Sequence, residues 1–132
     1  MLLVLSIHAG AFSGRFTYED FTKSDIAELV TELSSRDVSV VFCENYMLQW
    51  QIMAYSQGSI VCRSKQLKDR VSAVRQKADQ VYSDNPSQSA WVDFTNPNDT
   101  KRKSEVSWFN HAFLLQISPE KDWLKHRGFQ GI

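Results

Sequence analysis

Val38-Ser39-Val40-Val41-Phe42-Cys43, followed by Glu44-Asn45-Tyr46-Met47-Leu48-Gln49-Trp50-Gln51-Ile52-Met53-Ala54-Tyr55 and Ser56-Gln57-Gly58-Ser59-Ile60-Val61-Cys62, is the stretch on which the fold turns. The first run is rich in β-branched residues and reads as a central strand. The second run is ambiguous. Leu48, Trp50 and Ile52 alternate with Gln49 and Gln51, which favours a strand that turns at Ser56–Ser59 into Ile60–Cys62 as a hairpin. Tyr46, Met47, Trp50, Met53 and Ala54 also form a helical stripe, so residues 44–54 admit both readings, with the hairpin preferred.

The flanking segments are clearer. Leu2-Leu3-Val4-Leu5-Ser6-Ile7 reads as a buried first strand, closed by Gly10 and Gly14. Thr22 and Asp25 have capping-box spacing, Phe21 can staple onto Ile26, and Ile26, Leu29, Val30 and Leu33 recur at helical steps. A second helix runs from a Ser64 cap through Leu67, Val71, Val74, Ala78 and Val81, and Pro86 stops it. Ala90–Phe94 reads as a strand, Asn96–Asp99 as a turn, Ser107–Ile117 as the longest β-like run, and Pro119-Glu120 opens a short last helix before Gly128. The expected architecture is a single small α+β domain over residues 1–132, with a mostly antiparallel sheet and two principal helices packed on one face.

Composition narrows the function classes. The chain has 132 residues, 42% of them hydrophobic and 23% charged, the profile of a soluble globular domain. Fifteen basic and fifteen acidic side chains cancel, so no net field draws the protein to nucleic acid or an anionic membrane, and Lys101-Arg102-Lys103 reads as a solvated loop. No segment approaches the ~20 apolar residues that cross a bilayer. The N-terminal apolar run lacks a basic n-region and is broken by His8 and Gly10, which favours a cytoplasmic protein over an exported one. No metal spacing links His8, His111 and His126, no phosphate loop is present, and no cofactor is expected.

Two sets of residues suggest chemistry. A thiol nucleophile needs a base and a group to orient it, and Cys43, His111 and Asp122, with Asn110 as the other candidate orienter, supply those types. The segment Cys43–Trp50 taken with His111–Leu115 resembles the YopT-type cysteine peptidases over about a tenth of the chain. The resemblance implies a hydrolase or acyl transferase with Cys43 as nucleophile and His111 as base. The pattern departs from that family in placing a strand-like run before the cysteine. Ala54–Ser59 also resembles a cutinase-style nucleophile elbow around Ser56, with residues 7–12 as an oxyanion loop. Against both stands a simpler reading: a small binding module whose partner is another protein, carried by an exposed tryptophan among Trp50, Trp91, Trp108 and Trp123, with pairing into a homo-oligomer left open.

Overall fold

The computed structural model describes residues 23–65, 72–95, 107–109 and 112–132. Helix α1 (Lys23–Ser35) leads into strand β1 (Val40–Cys43), helix α2 (Tyr46–Tyr55) and strand β2 (Val61–Arg63). Helix α3 (Ser72–Asp84), a 3-10 turn (Pro86–Gln88), strands β3 (Ser89–Phe94), β4 (Ser107–Phe109) and β5 (Phe113–Ile117), and helix α4 (Lys121–His126) follow. The result is a small α+β domain around one five-stranded sheet of order β2-β1-β3-β5-β4.

The sheet is mixed, which corrects the mostly antiparallel expectation. Strand β1 runs parallel to both neighbours, with Val41 opposite Cys62 on β2 and Ala90 on β3, whereas β5 is antiparallel to β3 and β4. A parallel pair cannot be closed by a tight turn, so the chain between β1 and β2 has to cross back over the sheet. Residues 46–55 do this as a helix, and the expected hairpin does not form.

Local chemistry agrees with that outcome. The Asn45 side chain accepts from the Met47 N–H at 2.8 Å as an N-cap. Leu48 and Ile52, four residues apart, are fully buried on one side of the helix. At the other end Gly58, with φ of +80°, takes the left-handed geometry that returns the chain toward β2, and its N–H bonds back to the Met53 carbonyl. The run expected as one strand over 107–117 is two strands paired antiparallel, Trp108 opposite Leu114.

Helices lie on both faces of the sheet, where a single covered face was expected. Alternation along β1 sends Val41 and Cys43 into a core with Leu29 and Leu33 of α1 and Leu48 and Ile52 of α2. Val40 and Phe42 point the other way, into a core with Ala78 and Tyr82 of α3, Leu124 of α4 and Phe129. Every β1 residue is therefore buried, as befits a strand covered on both sides. Of the expected helices over 22–35 and 64–83, the described residues show Lys23–Ser35 as α1 and Ser72–Asp84 as α3, two of their four α-helices; Ser64 is not helical, and Leu67 and Val71 lie outside the described residues. The first strand, Leu2–Ile7, the Phe21 and Thr22 capping positions and the Asn96–Asp99 turn lie outside the described residues.

Candidate functional site

The residues expected to carry thiol chemistry are placed as follows. Cys43 ends β1 with no solvent exposure and faces the α1/α2 core. Cys62 is buried in the same core, and burial, followed by the neighbouring Cys43 thiol, raises the Cys62 thiol well above its ordinary value. Asp122 is exposed in the first turn of α4, on the opposite face of the sheet from the Cys43 side chain. Asn110 and His111 lie outside the described residues. The structure thus buries Cys43 in the same core as Cys62 and separates it from Asp122.

Ser56 does not occupy an elbow between a strand and a helix. It caps the C-terminal end of α2, its hydroxyl donating to the Met53 carbonyl at 3.1 Å and accepting from the Ile60 N–H at 3.3 Å. Among the described residues no cluster of three His, Cys, Asp or Glu side chains could hold a metal, and no helix is long and apolar enough to cross a membrane.

Two expectations follow from the thiol geometry. Iodoacetamide should leave both cysteines unmodified in the native protein and label them at the rate of global unfolding, read by peptide mass spectrometry. Rapid labelling of Cys43 below about pH 7 would instead mark an accessible thiolate and restore the thiol-enzyme reading. The second concerns pH. A raised folded-state value means that Cys62 favours the folded state while both states hold the proton; this contribution is lost as pH climbs past the unfolded thiol's titration. Tyr82 is raised too, by burial and then by the Glu120 charge, and acts in the same direction at higher pH. The urea midpoint should therefore decline from about pH 8.5 upward, and Cys62→Ala should flatten the first part of that decline.

The ionic groups at the carboxyl ends of the parallel strands are engaged with one another. Glu44 accepts from Arg127 at 3.2 Å and pairs with Lys65. The Arg127 guanidinium lies 4.4 Å from the Trp91 ring centroid and 4.8 Å from that of Trp123. This cluster ties the segment after α4 to the ends of β1 and β2.

A groove of about 510 Å³ opens between the end of α3 and the start of α4, lined by Tyr82, Pro86, Ser118, Pro119 and Ile132 among others. Two of its polar groups have internal partners: buried Tyr82 donates to the Pro119 carbonyl at 2.8 Å, and exposed Ser118 to the Ser87 carbonyl at 2.9 Å. Asp79, at its edge, pairs with Arg63 and Arg75. That leaves a shape without the convergent buried polar groups that orient a small ligand.

The solvent side of α2 is different. Tyr46, Met47, Trp50 and Tyr55 are the large hydrophobic side chains that the described residues leave exposed, and all four are on this ten-residue helix, Tyr46 at 65% and Trp50 at 40%. From Asn45 to Cys62 the chain carries no charged side chain. The four tryptophans divide accordingly: Trp91 is core, Trp123 is half-buried, the Trp108 side chain is outside the described set, and Trp50 faces solvent. Reading residues 44–54 as a strand scattered these side chains over two faces of a sheet. The signal for their grouping was the helical stripe, reinforced by the missing charges.

No family model matches the chain, and no curated protein or solved structure matches it. The functional reading therefore rests on the geometry of the chain itself.

Proposed function

We propose that this chain is a protein-interaction domain whose contact surface is the outer face of α2. The observation that carries the reading is the concentration of Tyr46, Met47 and Trp50, with Tyr55 at its margin, on one uncharged helix. Scattered surface hydrophobes are ordinary, but a contiguous aromatic patch is the kind of surface that marks a partner site. Tyr and Trp bring large rigid areas at low side-chain entropy cost, which is why they dominate binding hot spots. Helices α1 and α2 pack on the sheet by their inner residues, so the outer face of α2 can bind without disturbing the core.

The thiol-enzyme reading asks for an accessible Cys43 beside His111. Cys43 is fully buried against Cys62, and no observation favours that reading over contact through α2.

A benzoylphenylalanine photo-crosslinker in place of Trp50, in the full chain expressed in cells, tests the proposal. Irradiation should give adducts of defined mass from position 50, lost when Tyr46→Glu is added, and none from the same probe at exposed Lys125 on α4. Equal yields at positions 50 and 125, or none at either, would overturn it.

A further inference from the structure

We infer that the partner seated on α2 is a second copy of this chain, packed antiparallel across a twofold axis that passes near Trp50. The inference rests on the contact reading above and names its partner. Tyr46, Trp50 and Ala54 follow one another at steps of four and form a single ridge along the outer face, where all three are exposed. Along that ridge the sizes run large, large, small.

Reversing a second helix about Trp50 places Tyr46 of each copy over Ala54 of the other, because 46 and 54 are equidistant from 50. The bulky ring meets the small methyl twice, and the Trp50 side chains meet at the axis. A surface that is its own complement under a twofold rotation is what an isologous dimer requires. Electrostatics points the same way. A charged contact face meets its own charge across a twofold axis, whereas the charge-free stretch from Asn45 to Cys62 has nothing to repel and nothing for an oppositely charged partner to recognise.

The area sets the strength. Tyr46, Met47 and Trp50 offer on the order of 300 Å² per copy, Tyr55 lying round the helix from them. That is less than half of what each partner contributes to an interface of standard size, roughly 800 Å². The dimer is therefore a weak, concentration-dependent one, with a micromolar or larger dissociation constant.

Sedimentation velocity of the full chain between about 1 µM and about 1 mM reads this directly. The expected result is a monomer at the low end that shifts toward a dimer at the high end, with amide exchange of residues 46–55 slowing as concentration rises. Ala54→Tyr, at an exposed position that leaves the core untouched, should weaken association about tenfold or more, because two large rings then collide at each crossing. Adding Tyr46→Ala to it exchanges large for small and should restore association to within about threefold of the parent; that rescue depends on the antiparallel register. A monomer throughout the range overturns the inference, as does a dimer indifferent to Ala54→Tyr or a double variant no better than the single one. The contact reading fails separately: heterologous adducts from the probe at position 50, with the chain itself monomeric, leave that reading standing and remove only the second copy.

Discussion

Arg63→Ala is expected to destabilise the protein by about 3–5 kcal/mol and to lower its melting temperature by about 10–20 °C, the largest loss of any single substitution considered. Arg63 closes β2 with no solvent exposure, and each of its nitrogens has a partner. Nη1 donates to Asp79 at 2.7 Å, Nε to the Ser64 carbonyl at 2.9 Å, and Nη2 to the carbonyls of Lys65 at 3.1 Å and Gln130 at 2.8 Å. The guanidinium carbon also lies 5.9 Å from the Phe42 ring centroid and 6.0 Å from that of Phe129. One side chain thus joins β2, α3 and the segment after α4.

Truncation takes the donor from the Ser64 and Gln130 carbonyls, while the Lys65 carbonyl keeps the Gln130 N–H at 3.1 Å, and it opens a cavity between two rings, so the losses add. Asp79 keeps Arg75, 3.3 Å away, so the carboxylate is not wholly abandoned, and its share of the loss is smaller than that of an unpaired buried charge. Arg63→Lys preserves the charge but not the fork of donors, and should recover less than half of the loss. Thermal unfolding followed by circular dichroism checks both variants. If Arg63→Lys melts with the parent protein, charge alone holds this corner and the hydrogen-bond argument is wrong.

How much of this was legible in the sequence follows from how local each signal is. Helix α1 was, because Ile26, Leu29, Val30 and Leu33 recur at a period that only one structure satisfies. Strand β1 was too: Val40 to Cys43 is apolar at every position, the pattern of a strand covered on both faces. Residues 46–55 were not, because Gln49 and Gln51 imitate the polar positions of a half-buried strand, and what makes them helical is long-range. Strand β2 pairs parallel to β1, and a parallel pair needs a crossover that no residue between the two strands announces by its type. The same gap hid the second helical face of the sheet, since β1 flanked by parallel partners demands crossovers that a hairpin reading never needs. The α2 surface shared that fate, because its side chains come together only once the segment is helical. The Cys43, His111 and Asp122 trio rested on residue types alone, and types do not say which face of a sheet a side chain takes. Arg63 carried no signal at all: a lone arginine after Cys62 resembles any surface cation, and its burial follows from α3 and from Gln130, both distant in sequence.

Gln49→Met should raise stability by about 1–3 kcal/mol, a gain where most core substitutions bring a loss. Gln49 is fully buried in α2, and neither its amide nitrogen nor its oxygen has a hydrogen-bond partner among the described residues. A buried amide with unmet hydrogen bonds costs free energy that an apolar side chain of similar length does not. Methionine matches glutamine closely in length and flexibility and fills the same space without strain, and both are good helix formers, so helix propensity stays neutral. Gln49→Ala separates the two contributions: it removes the polar cost but opens a cavity, and should come out less stable than Gln49→Met. Urea unfolding of the three proteins reads the order directly, with the parent expected below Gln49→Met. A destabilised Gln49→Met would show that the amide is satisfied in solution, by an enclosed water or by a group outside the described residues, and would make Gln49 a structural hydrogen-bonding centre of the α2 side of the core. Because Gln49 faces inward while Tyr46 and Trp50 face out, Gln49→Met should leave association through the outer face of α2 unchanged. A stabilised core with unaltered self-association would then locate the binding property on the outer face of the helix alone.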